Sequence, residues 1–185
     1  ITRFKEQQQT RRDGWVAGST LNIFKKDSDR VTMANLAQIV NVLQALILTE
    51  GEKMIKTPTY HVFNMYKYHQ DAMLVDSHID TETIGLEDEY QVPNLTESVS
   101  VDENGVLHIT VTNLSLTEDY EIDTTILEKN ISEVKGEILT EEMHAMNTFE
   151  DPETVRTKEF TDVKITDKGL AFTIPACSVL HLSVK

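Results

Sequence analysis

The stretch Arg30-Val-Thr-Met-Ala-Asn-Leu-Ala-Gln38-Ile-Val-Asn41-Val-Leu-Gln-Ala-Leu-Ile-Leu-Thr-Glu-Gly51, continued by Thr57-Pro58-Thr-Tyr-His-Val-Phe-Asn-Met-Tyr-Lys-Tyr-His-Gln70, decides how the chain is read. It is the least polar part of the sequence, yet it carries Asn and Gln at positions where an ordinary core would avoid them. Met33, Leu36, Ala37, Val40 and Leu43 fit a helical face, and Arg30 to Gln38 also fits a short buried strand. Context favours the strand. A helix, a short polar turn Asp27-Ser28-Asp29 and then a brief apolar run is the αβ rhythm of a barrel or a doubly wound sheet. In that reading the strand ends near Gln38.

Upstream, Thr10 to Lys26 is expected to be helical, because Val16, Ala17, Thr20, Leu21 and Phe24 recur at spacings of three and four. Gly14 and Gly18 weaken that helix by about 1 kcal/mol each relative to Ala, unless they mark close approach to a neighbouring element. Downstream, Leu46 to Thr49 and Lys53 to Lys56 read as a hairpin turning through Glu50-Gly51-Glu52. Thr57-Pro58 is a helix start, a hydroxyl cap followed by proline at the first helical position, and the helix runs to about Gln70. Its aromatic and methionine stripe reads as core.

After Gln70 the texture changes, and the chain divides into residues 1–71 and 72–185. Met73 to Ile79 is a first strand and Thr81 to Pro93 an acidic connector. Strict alternation follows: Val99 and Val101, a turn at Asn104-Gly105, then Leu107, Ile109 and Val111. Tyr120–Leu127, Glu133–Leu139, Asp162–Ile165, Leu170–Ile174 and Leu180–Val184 are further strands. Short strands with glycine turns indicate an antiparallel β-sandwich.

Composition narrows the function. A net charge of −14 argues against nucleic acid, whose phosphates call for clustered Lys and Arg. No run approaches the ~18 apolar residues of a membrane span. The single Cys177 excludes an intrachain disulfide and reads as packed and inert in a strand. The chain starts at Ile1, so it is expected to begin inside a longer gene product. Asn94, Asn113 and Asn130 open Asn-x-Ser/Thr triplets, read here as chance occurrences. Glu87-Asp88-Glu89, Glu118-Asp119 and Glu141-Glu142 fall in polar connectors and read as solvated charge. The six histidines are scattered without metal-ligand spacing, so no metal and no cofactor is expected. Gln38 and Asn41 stand out: an amide at the carboxyl end of a barrel strand can donate to and accept from sugar hydroxyls. The spacing leaves open whether they do so or only satisfy loop backbone.

Several runs resemble the late part of the α-L-arabinofuranosidases of glycoside hydrolase family 51. They are Arg12-Asp13-Gly14 to Phe24, Asp29 to Leu43, Pro58 to Ala72, Gly136 to Thr140, His144 to Phe149, Asp151-Pro152-Glu153 and Pro175 to Val179. Gly14 departs from the pattern, where Ala is usual. The resemblance implies an α+β fragment: the last helices and strand of a (β/α)8 barrel in 1–71, then a jelly-roll-like sandwich in 72–185. It implies a retaining hydrolase, which needs two carboxyl groups about 5–5.5 Å apart. Neither the family's nucleophile motif nor its acid/base pair occurs here, so no catalytic residue is expected in this chain. Of the family's sugar-contacting positions only the glutamine after the last barrel strand is matched, by Gln38, with Asn41 a secondary candidate. The implied partners are arabinofuranosyl-containing oligosaccharides reached through the parent enzyme, and either further copies in a homo-oligomer or the missing barrel. The implied location is bacterial cytoplasm. A rival reading is a non-catalytic carbohydrate-binding or structural sandwich.

Overall fold

The computed structural model describes residues 9–36, 39–86, 88–128 and 130–185. Helix α1 spans Arg11–Lys26. The Thr10 backbone N–H donates to the Asp13 carboxylate at 2.8 Å, which fixes where the helix begins. Lys25 and Lys26 close it at the negative end of its dipole. Strands β1 (Ile47–Glu50) and β2 (Lys53–Lys56) form the expected hairpin, with Gly51 at φ +59° in its turn. Helix α2 spans Pro58–Tyr66, and the Thr57 hydroxyl accepts the Tyr60 N–H at 3.3 Å. A 3-10 turn at Lys67–His69 carries it on to Gln70.

Over its described residues the expected barrel strand, Arg30 to Gln38, is not formed. Residues 31–36 have no regular secondary structure, and residues 37 and 38 lie outside those described. A strand needs a ladder partner for its backbone groups, and no strand of the described residues lies beside this run.

The remaining strands are β3 (Met73–Val75), β4 (Thr83–Gly85), β5 (Gln91–Pro93), β6 (Leu95–Val101), β7 (Leu107–Asn113), β8 (Tyr120–Asp123) and β9 (Val134–Leu139). They are followed by β10 (Thr157–Phe160), β11 (Val163–Ile165), β12 (Leu170–Ile174) and β13 (Ser178–Val184). An antiparallel six-stranded sheet, ordered β10-β9-β13-β7-β6-β3, faces a three-stranded sheet, β11-β12-β8. Strands β4 and β5 pair as a hairpin inside the acidic connector, where no strand was expected. Strand β10 was likewise not anticipated.

Between the two sheets lies the larger core. It includes Leu107, Ile109 and Val111 of β7, Leu180, Leu182 and Val184 of β13, and Leu170, Phe172 and Ile174 of β12. Phe160 meets Phe172 edge to face, with ring centroids 6.4 Å apart. The opposite face of the six-stranded sheet carries the two helices. Leu21, Val62, Met65 and Tyr66 pack there on Leu139, Val155 and Val179. Gly18 is where α1 touches the sheet: a Cβ would lie 2.9 Å from the Thr112 hydroxyl and from a Val179 methyl. A Cβ on Gly14 would come within 3.1 Å of the Pro58 carbonyl oxygen of α2. Both glycines are close-approach positions, the alternative the sequence had left open.

Candidate functional site

Strand alternation gives the six-stranded sheet its second face. In β7 the residues between the core positions are His108, Thr110 and Thr112, all buried. In β6 they are Thr96, Ser98 and Ser100, and in β13 they include His181 and Ser183. These polar side chains meet the helices, so each needs a partner. Asn22 of α1 supplies several. Its amide nitrogen donates to the Thr96 carbonyl at 3.0 Å, and its amide oxygen accepts the hydroxyls of Tyr66 and Thr110, both at 2.8 Å. Tyr66 also lies 3.0 Å from the Gly18 carbonyl. Burial pushes the Tyr66 phenol up, so it stays a donor. Lys25 beside it is pulled down to about 7 by burial, with its ammonium 5.1 Å from the Tyr66 ring centre.

Three of the six histidines converge at the end of this layer. The rings of His108 and His181 lie within 18° of parallel with centroids 5.4 Å apart, and His69 lies 6.3 Å from each. Tyr68 lies flat on both, at 5.3 Å from His108 and 4.8 Å from His181. His69 bonds Ser100 at 2.7 Å and Thr110 at 3.2 Å. Burial, then Lys25 and the neighbouring imidazoles, hold His69 down to about 2, so it is neutral. No spacing in the sequence marks this cluster. Its only trace was histidine at the polar beat of two alternating strands. Among the described residues no group of His, Cys, Asp and Glu has the arrangement to hold a metal ion.

The residues singled out in the sequence are placed differently. Gln38 lies outside the described residues. Asn41 is exposed at φ +54°, and its amide is engaged locally. The Thr49 N–H donates to Asn41 Oδ1 at 2.7 Å, and Asn41 Nδ2 donates to the Thr49 hydroxyl at 2.8 Å. Asn41 therefore pins its loop to β1. Cys177 is buried, as expected, but at φ +51° it sits just before β13 and not inside a strand. Asn94 and Asn113 are buried, which closes both to glycosylation. The one buried carboxylate among the described residues, Glu97, is ion-paired with Lys26 at 2.5 and 2.7 Å. A surface recess of about 290 Å³ is lined by Arg11, Leu116, Glu141 and Cys177 among others. Nothing in this set pairs a free acid with a nucleophile across a substrate-sized cleft.

A family profile for the α-L-arabinofuranosidase C-terminal domain matches residues 1–178, and the chain belongs to that family. It is 39% identical over 180 residues to an intracellular exo-alpha-L-arabinofuranosidase of Bacteroides ovatus, covering 97% of this chain and 35% of that protein. The crystal structure of the GH51 arabinofuranosidase from Xanthomonas axonopodis pv. citri superimposes with a TM-score of 0.91 at 36% identity, over 97% of this chain and 36% of that one. A thermostable GH51 α-L-arabinofuranosidase from Thermotoga petrophila gives a TM-score of 0.85 at 28% identity, over 97% and 39%. The chain thus spans little more than a third of these relatives. It corresponds to their C-terminal β-sandwich portion and is not the catalytic part.

Proposed function

We propose that this chain is the C-terminal portion of a retaining α-L-arabinofuranosidase. That enzyme removes terminal non-reducing α-L-arabinofuranosyl groups from arabinose-containing polysaccharides and oligosaccharides. The observation that carries this reading is the exposed apolar surface of residues 9–36 and 39–43. Val16 and Ile23 of α1 are half exposed, and Met33, Ile39 and Leu43 are exposed by 71%, 60% and 50%. So much open apolar surface is unusual on a free-standing unit. It suits packing on a catalytic barrel, with residues 1–71 contributing the barrel's last elements, or on a further copy of the protein. The sandwich then acts as a buttress with no catalytic group of its own.

Within this reading Gln38 is the residue that contacts the sugar, because only it falls on a family substrate position. Asn41 ranks second, since its amide is already taken up by Thr49. The bacterial cytoplasm is the proposed location, supported by the intracellular Bacteroides relative. No helix of the described residues is long and apolar enough to cross a membrane. The test is Gln38→Ala in the full-length enzyme with an aryl α-L-arabinofuranoside. Loss of one hydrogen bond to a sugar hydroxyl lowers kcat/KM by about tenfold or more. Unchanged kinetics would return Gln38 to a structural role.

A further inference from the structure

The histidine cluster contains a proton count that its neutral form cannot meet. Four groups stand in a line across three strands and a turn. Asp102 Oδ2, in the β6–β7 turn, lies 3.4 Å from His108 Nε2 of β7. His108 Nδ1 lies 3.2 Å from His181 Nε2 of β13. His181 Nδ1 lies 3.2 Å from Glu137 Oε1 of β9. The line begins and ends on carboxylate oxygens, which can only accept while both carboxyls are ionised. Three contacts need three protons between their atoms, and two neutral imidazoles bring two. With both rings neutral, one contact sets two lone pairs against each other. Ser183 Oγ, 3.3 Å from His108 Nδ1, can donate there, but the His181 Nε2 lone pair then faces a nitrogen with no proton to give.

We propose that His181 is a buried imidazolium, donating from one ring nitrogen to Glu137 and from the other to His108, and that this extra proton fastens the Lys67–His69 turn to the sheet. His181 is 3% exposed, so its charge has to be met by groups of the protein. Glu137 meets it directly, and the Tyr68 ring lies parallel over it at 4.8 Å and 6°, presenting its negative face. The proton belongs on His181 and not on His108, because the Glu137 contact is the shorter, 3.2 Å against 3.4 Å for Asp102, and Tyr68 lies closer to His181, 4.8 Å against 5.3 Å; burial also pulls His108 below the ordinary histidine range. Around the pair, α1 contributes Lys25, the turn contributes Lys67, Tyr68 and His69, β6 contributes Ser100, and β7 and β13 contribute Thr110 and Ser183. Of these only Lys25 and Lys67 are cationic groups, and Lys67 Nζ, 4.9 Å from the Tyr68 ring centre, donates to Asn64 Oδ1 at 3.2 Å. Loss of the proton on alkalinisation leaves a lone pair on Glu137 or on His108 and removes the charge under Tyr68, so the turn loosens while the apolar core stays intact.

The experiment uses the protein labelled with 15N only in histidine, with ring-nitrogen shifts recorded at pH 7. His181 is expected to show both nitrogens protonated and His108 one. In Glu137→Gln the amide can donate to a neutral ring, so His181 is expected to show one protonated and one bare nitrogen. A second readout is amide exchange at Tyr68–Gln70, corrected for intrinsic base catalysis. It is expected to rise about tenfold from about pH 7 to about pH 9 in the native protein, the worth of one charge-assisted hydrogen bond, and to stay flat in Glu137→Gln. A bare ring nitrogen on native His181 at pH 7 overturns the proposal, as does an identical exchange profile in the two proteins. The native spectrum alone decides the matter if the variant fails to fold.

Discussion

The two faces of the six-stranded sheet are made by the same strands and held by different physics. Towards the three-stranded sheet, β7 and β13 present leucine, isoleucine and valine, a dry contact that gains free energy in proportion to area and asks little of direction. Towards the helices they present Thr110, Thr112, His108 and His181, each of which has to meet a specific partner. The dry face gives the sandwich its stability. The wet face fixes where α1 and α2 sit, because Asn22 and Tyr66 can satisfy Thr96 and Thr110 in only one register of the helices.

The contrast can be broken first on the dry side. Leu180 is fully buried, so Leu180→Ala is expected to lower unfolding free energy by about 3–4 kcal/mol with no change of secondary structure in the survivors, read by urea titration. On the wet side, Asn22→Ala leaves the hydroxyls of Tyr66 and Thr110 short of a partner. It is expected to cost about 2–3 kcal/mol and to speed amide exchange in α1 and α2 before the sandwich core. Equal exchange in both layers would dissolve the distinction between the two faces. Gly18→Ala tests the seam itself. The added methyl meets Thr112 and Val179 at 2.9 Å, and about 2 kcal/mol is expected, with α1 pushed off the sheet.

The smallest effect at neutral pH belongs to His69. Its folded value is held to about 2 against an ordinary 6.5, so the unfolded chain binds a proton that the folded chain refuses. Stability contributed by this residue is therefore full above about pH 6.5 and falls by up to about 1.4 kcal/mol per pH unit below it. His69→Gln is expected to flatten that acid slope by about one proton, measured from the pH dependence of urea midpoints. An unchanged slope would mean that His69 takes up its proton while folded.

Much of this was legible from sequence wherever a local rule governs. The cap and proline at Thr57-Pro58, the hairpin around Gly51, the Asn104-Gly105 turn and the alternation of β7 and β13 depend on neighbours a few residues away. Strand β10, reading Thr-Lys-Glu-Phe, was not legible. It is mostly polar because it lies at the sheet edge, and pairing with β9 rather than its own pattern makes it a strand. The Arg30–Gln38 run failed in the opposite direction: its pattern allowed a strand, but no described neighbour supplies a ladder. The wet layer was hidden for a third reason. Asn22 reaches Thr110 across 88 positions, and His108 meets His181 across 73, so sequence spacing carries no trace of either. Gln38 and Asn41, by contrast, were visible as polar residues in an apolar run, and Asn41 turned out to serve its own loop.

This polypeptide is proposed to support an arabinofuranosidase without performing its chemistry. The direct measurement is release of nitrophenol from 4-nitrophenyl α-L-arabinofuranoside by the purified 185-residue chain, at protein concentrations far above those used for an intact enzyme. No release above the buffer rate is predicted. Saturable turnover that follows the chain through two unrelated chromatographic steps would contradict the account.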